Sequence, residues 1–213
     1  MNALIYAQSG GGKTVNATLV ACPEGKRNLL ICTDNSSIVL NNFVRPNLDI
    51  VNVGTVKEFQ DAYKKGYTSG KYHNIIADNL SDLFDMWILE LEASGAYKDM
   101  RQAYQLVYQS LKRLSRESAV AGCNTIFTAW SDQMEVTLPS GERIQRLQPK
   151  IPGKIIDNIC GLMNVVAYVT TAEKDGKKVW FYTMQPSPAV LVKDQIGCRP
   201  SCMPEDIFTP KSK

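Results

Sequence analysis

Apolar residues recur along this chain with two alternating periods. Short bounded runs, Ala3 to Tyr6, Asn28 to Thr33 (N-L-L-I-C-T), Asn74 to Asp78 (N-I-I-A-D) and Thr125 to Trp130 (T-I-F-T-A-W), have the length and polar boundaries of buried strands. Asp49 to Val53 reads as a further strand. Between them, apolar residues stand three and four apart. Leu80, Leu83, Phe84, Trp87, Ile88 and Leu91 fall on one face of a helix. Tyr104, Val107, Tyr108, Leu111 and Leu114 mark a second, long one with Lys112, Arg113 and Arg116 outward. Thr55 with Glu58 reads as a capping box, opening a helix that passes Tyr63 and stops near Gly66. Val15 to Ala21 suits a helix after the first strand. Strands alternating with helices imply right-handed βαβ units and a parallel sheet.

The texture changes at Met134, beyond which eight of the ten prolines lie. Glu135 to Leu138 and Glu142 to Leu147, around Pro139-Ser140-Gly141, predict a hairpin or a mobile loop. Ile155 to Met163 predicts a short helix. Asn164 to Thr170 and Lys177 to Met184 flank an Asp175-Gly176 turn, the signal of an antiparallel hairpin. A last strand is expected at Ala189 to Val192, with an irregular chain from Gly197 onward. The expectation is one α/β domain over residues 1–200, with a mainly parallel sheet flanked by helices, an antiparallel C-terminal hairpin extension and an irregular tail at 201–213.

Chemistry concentrates at Ala7-Gln8-Ser9-Gly10-Gly11-Gly12-Lys13-Thr14, between the first strand and its helix. Glycines let a backbone curl with its N–H groups inward, a concave nest for phosphate oxygens, and the helix start favours the same anions. Strand, glycine loop and helix together are the context of a phosphate-binding loop. Gln8, Ser9, Gly10, Gly11, Gly12, Lys13, Thr14 and Val15 are therefore the candidate cradle for ATP, Lys13 reaching the β- and γ-phosphates and the Thr14 hydroxyl ligating Mg²⁺. The usual pattern, G-x-x-x-x-G-K-S/T, has glycine where Ala7 stands; the three successive glycines supply the freedom that Ala7 removes. The loop starts so near Met1 that no domain is expected before it.

Ligands of such sheets gather beyond the carboxyl ends of the strands, where Asp34, Asp78 and Trp130 to Gln133 converge with the loop. Asp78 ends an apolar strand, the place of a carboxylate that holds Mg²⁺ opposite Thr14, or of a cap for the helix that follows. Asp34 ends another, placed to orient and deprotonate an attacking water or to cap a turn. Ser131, Asp132 or Gln133 would sense a γ-phosphate, though Trp130 occupies the more natural position.

Composition narrows the classes. The chain has 213 residues, 44% of them hydrophobic and 21% charged, and a net charge of +3, too mild to imply nucleic acid by itself. No apolar run approaches the roughly 20 residues that span a bilayer, and no signal peptide opens the chain, so a cytoplasmic protein with free thiols and no membrane partner is expected. A single histidine, His73, leaves no Ser-His or Cys-His nucleophilic pair to pursue. Locally the charge is stronger. Glu142 to Lys154 carries Arg143, Arg146, Lys150 and Lys154 against one acid, with no aromatic to stack on bases. It is either a solvated basic hairpin or a grip on nucleic-acid phosphates. Lys193 and Arg199 are candidate cations for a neighbouring subunit's γ-phosphate, or plain surface charges.

The order of these pieces resembles the RecA-like branch of phosphate-loop ATPases, from Ala3 to about Arg199. That resemblance implies a catalytic carboxylate at Asp34, the magnesium carboxylate at Asp78, a sensor strand at Ile126 to Trp130, a DNA-binding loop at Met134 to Gly153 and a lysine reaching the neighbour at Lys193. The compact form looks like small phage-encoded AAA/RecA-type proteins, some of which act in single-strand annealing and recombination. It implies a homo-oligomeric, Mg-dependent ATPase acting on single-stranded DNA. Asp34 stands where RecA proteins have the longer glutamate, and Trp130 where they have glutamine. Those departures favour the alternative of a nucleotide-gated scaffold, for instance a helicase loader, with little hydrolysis. A small-molecule kinase would need an acceptor pocket and lid arginines that the sequence does not offer.

Overall fold

Strands buried on both faces must satisfy their backbone groups from neighbouring strands, and the apolar runs do so in one sheet. The computed structural model describes residues 1–210. Its strands are β1 (Asn2–Ala7), β2 (Arg27–Cys32), β3 (Leu48–Asn52), β4 (Tyr72–Asp78), β5 (Asn124–Thr137), β6 (Arg143–Pro149), β7 (Val165–Lys174), β8 (Lys177–Thr183), β9 (Lys193–Asp194) and β10 (Ser201–Cys202). The spatial order is β3-β2-β4-β5-β1-β7-β8-β10, the first six parallel and the last two antiparallel. The β7–β8 hairpin turns at Asp175 and Gly176, with φ of 54° and 69°, as the D-G pair predicts.

The period of two along each strand separates two apolar layers. Leu4 and Tyr6 of β1, with Phe127 and Ala129 of β5, face α2 (Val56–Thr68), α3 (Leu80–Ala93), α4 (Met100–Val120) and α5 (Gly153–Leu162). Those helices return Phe59, Leu83, Val107, Leu111 and Ile159. On the other side Ala3, Ile5 and Ile126 meet Ala17 of the short α1 (Lys13–Ala17), Leu40, and the late residues Ile207 and Phe208. The RecA-like α/β architecture expected from the sequence is therefore present, with the carboxyl ends of β1, β2, β4 and β5 side by side.

Four local expectations change. The α2 helix passes through Gly66, because this glycine is a packing contact: a Cβ there would lie 2.8 Å from Leu29 Cδ2 and 3.0 Å from Ile75 Cδ1. The strand expected to stop at Trp130 continues through Thr137, held by antiparallel pairing with β6 from Ser131–Pro149 to Thr137–Arg143, so the basic segment is a hairpin. The strand expected at Ala189 to Val192 reduces to isolated bridges of Val190, and Lys193–Asp194 pairs with β7 instead. The tail is ordered by packing: β10 adds to β8, and Ile207 and Phe208 are buried. Residues 211–213, part of the expected irregular tail, lie outside the described residues.

Candidate functional site

The loop between β1 and α1 is shaped by what its neighbours leave room for. Gly11 N–H donates to Gln8 O at 2.9 Å, closing the turn. A Cβ on Gly11 would sit 2.8 Å from the Ala7 methyl, so the methyl where the usual loop has glycine is accommodated by a bare position facing it. Gly12 has φ +81°, and a Cβ there would meet Asn16 Nδ2 and the Trp180 ring at 2.9 Å. Lys13 is 8% exposed, its ammonium donating to Gln8 O at 3.3 Å. Burial pushes its pKa down, opposed by the carboxylates of Asp78 and Asp34.

Beneath the loop lies Asp78, 1% exposed. Its Oδ2 accepts the Thr14 hydroxyl at 2.6 Å and the Ser36 hydroxyl at 2.7 Å, and its Oδ1 accepts the Thr128 hydroxyl. Burial raises its pKa against the pull of those three hydroxyls. The alternative role for Asp78, capping α3, belongs to Asn79, whose Oδ1 accepts Asp82 N–H at 2.7 Å. Asn79 Nδ2 also donates to Asp34 Oδ2 at 2.6 Å, while Asp34 Oδ1 accepts Ser36 N–H at 3.1 Å. Ser36 and Thr128 escaped the sequence reading. A threonine inside the apolar strand T-I-F-T-A-W was the available signal for Thr128; Ser36 had only its nearness to Asp34.

Together these groups border a cleft of about 320 Å³ that also takes in Ser9, Gly10, Val15, Ile38, Val39 and Trp130. Gln8 and Gly11 face a second cleft on the loop's other flank. Asp132 and Gln133 line a third, beside Asp85 and Lys150, away from the loop. The oxygen donors of Thr14 and Asp78 fit a hard cation such as Mg²⁺. Cys32 lies near enough to Asp34 and Asp78 to ligate as well, but burial raises its pKa and keeps the thiol neutral, which disfavours a soft metal.

The basic residues part company. Arg143 is exposed on β6 and pairs with Glu135 at 3.4 Å, and Arg146, partly buried, donates to Gln148. Lys154 is exposed at the start of α5. Lys150, which borders the third cleft, places its ammonium over the Trp130 ring, 5.1 Å from the centroid, and Trp130 in turn borders the loop cleft. Lys193 lies by the amino end of β7, opposite the loop edge of the sheet, and donates to Gly161 O at 3.0 Å. Arg199 corrects the sequence reading. It is 7% exposed and all five of its N–H donors are engaged: Nε and Nη2 on Asp194, Nη1 on Asp206 O and Thr209 O, and Nη2 also on Ile207 O. A guanidinium so enclosed has no donor left for another subunit's nucleotide; it ties the tail to β9.

A glycine loop closing on a lysine, with a hydroxyl at the start of the helix after β1 meeting a carboxylate at the end of β4 across a parallel sheet, defines a phosphate-loop nucleotide-binding protein of RecA-like topology. The chain belongs to the AAA domain family, whose model matches residues 1–196. That membership implies a nucleotide in the loop, and typically magnesium with it. No curated protein matches the sequence. In structure it is similar to a KaiC-like protein from the hyperthermophilic archaeon Pyrococcus horikoshii OT3, with a TM-score of 0.52 and 13% identity over 94% of this chain and 87% of that one. This likeness is one of fold. Among the described residues no helix is long and apolar enough to cross a membrane.

Proposed function

We propose that the chain binds Mg·ATP in the loop cleft, hydrolyses it, and acts on single-stranded DNA in recombination or replication, as a phage-encoded homo-oligomer in the host cytoplasm. The observation that carries the nucleotide part is the Thr14 hydroxyl against the Asp78 carboxylate at 2.6 Å, with Lys13 buried beside them. Lys13 and the loop amides from Ser9 to Val15 stabilise phosphate charge, and Asp34 orients the attacking water. Thr14 and Asp78 would hold Mg²⁺, which when bound neutralises charge between the β- and γ-phosphates.

The DNA part is supported by Arg143, Arg146 and Lys150 on one hairpin with Lys154 close in sequence, all suited to phosphates. Lys150 over Trp130 gives that hairpin a direct contact with the nucleotide rim. Lys193 is the cation this reading assigns to a neighbouring copy. Phosphate release and Mg·ATP affinity, measured with and without single-stranded DNA, test the proposal against Lys13→Ala. Loss of one charge-assisted contact, about 1.5–3 kcal/mol, weakens binding about 10- to 150-fold. Unchanged affinity and turnover in Lys13→Ala would refute the loop assignment.

A second reading, a nucleotide-gated scaffold, is favoured by one observation. Both Asp34 oxygens are already held, by Asn79 Nδ2 and Ser36 N–H, which pins the carboxylate in its turn. ATP bound without DNA-stimulated release selects this reading.

A further inference from the structure

We propose that the cleft on the outer flank of the phosphate loop, walled by Trp180, seats the base of the bound nucleotide; the proposal rests on the nucleotide reading of the loop. Two clefts meet along the loop and share Gly10. The inner one holds the donors that phosphate and metal require, Lys13, Thr14 and Asp78. The outer one, about 290 Å³, is bordered by Gln8, Gly11, Thr171, Lys178 and Trp180 and by no acid. Its chemistry is a flat aromatic ring and a cation, which suit a nucleobase.

Trp180 stands on β8 opposite Thr171, and the edge of its six-membered ring touches the loop at Gly12. The indole is partly buried against the α1-side core, which holds its plane in place. The Lys178 ammonium lies over the ring, 4.5 Å from the centroid, and Lys178 is exposed, so it can swing into solvent and yield that face to a flat ligand. Indole is a platform on which any base can stack. The outer cleft lies just under the roughly 300 Å³ at which pockets for whole small molecules begin, a volume for the base alone while the phosphates lie on the loop. The inner cleft has a ring of its own, Trp130, but it stands among Lys13, Thr14, Asp34 and Asp78, the groups that phosphate and metal take up, which leaves the acid-free outer cleft for the base.

The test compares ATP with inorganic tripolyphosphate, which has the phosphates and no base. Both are titrated into the full chain, Trp180→Ala and Trp180→Phe, with melting curves to confirm folding. Stacking predicts ATP affinity about 5- to 100-fold weaker in Trp180→Ala, mostly retained in Trp180→Phe, and tripolyphosphate affinity equal in all three. Photolabelling of the unsubstituted chain with 8-azido-ATP gives a readout independent of the variants and is expected to mark the β7–β8 hairpin. Equal weakening of both ligands would make Trp180 a prop for Gly12 and overturn the proposal. So would undiminished ATP affinity, or a label on Ile38 to Phe43. An unsubstituted chain that binds neither ligand sinks the nucleotide reading itself; one that binds both, with no difference between variants, sinks only the base seat.

Discussion

Replacing Arg199 by Met removes the cation from a buried pair and leaves the Asp194 carboxylate with backbone N–H donors alone. The Asp194 side chain is 1% exposed and that of Arg199 7%, with 2.7 Å between Oδ2 and Nε. Breaking such a pair from one side leaves an uncompensated buried charge, a loss of about 3–5 kcal/mol. The variant also frees the carbonyls of Asp206, Ile207 and Thr209, which hold the tail against the sheet. At about 2–4 °C per kcal/mol for a chain of this size, the melting temperature falls by about 6–20 °C. The double variant Asp194→Asn/Arg199→Met, with no charge left to bury, recovers the part due to the unpaired carboxylate, while the loss from the freed carbonyls remains. Acidity supplies a second check. Burial pushes the Asp194 carboxyl up, but Arg199 and the backbone N–H groups of Arg199 and Ile196 outweigh it and hold its pKa below 3.8. The stabilisation is present above 3.8 and is lost as pH falls through the lowered value, so the gap between the chain and Arg199→Met closes in acid. Thermal melting followed by circular dichroism, from neutral pH downward, measures both effects. An unchanged melting temperature together with abolished ATP turnover would refute this reasoning and return Arg199 to the role of a cation for the neighbouring site.

Asp78→Asn is expected to lose the magnesium dependence of ATP binding yet melt no lower than the original at neutral pH, because burial raises the pKa of Asp78 and ionisation there opposes folding. Any gain grows as pH rises above 3.8 and vanishes below it; a lower melting temperature at neutral pH would mean that the three hydroxyl bonds outweigh the burial. Gly66→Ala drives a methyl against Leu29 and Ile75 and costs about 1–3 kcal/mol despite alanine's better helix propensity; a stabilised variant in urea titration counts against the packing account. Neutralising Arg143, Arg146 and Lys150 together lowers the salt slope of single-stranded DNA binding by about 2, at roughly 0.7 per phosphate contact, and an unaltered slope removes the hairpin from the interface.

Much of the architecture was legible because it rests on local regularities. Apolar runs ending in Asp78 and Trp130, helical spacing from Leu80 to Leu91, and the Asp175-Gly176 turn each specify an element without reference to the rest of the chain. The misread features were those in which a residue's partners are set by packing rather than by the local pattern. Gly66 looks like a helix stop and is a contact for β2 and β4. Arg199 looks like a surface cation because its carboxylate and three carbonyl partners meet it only once the tail has folded back.

The sequence by itself determined that a glycine loop would close on Lys13 and Thr14 at the end of one strand, and that Asp34 and Asp78 would end two others, since these follow from residue type and periodicity along the chain. Only the tertiary structure decided that Ser36, Thr128 and Asn79 would hold those carboxylates, that Trp180 would press against Gly12, and that Arg199 would be enclosed. The contacts of the two carboxylates and of Trp180 join positions far apart in sequence, those of Arg199 need the tail to fold back on β9, and no periodicity encodes which side chains a folded sheet brings within hydrogen-bonding distance.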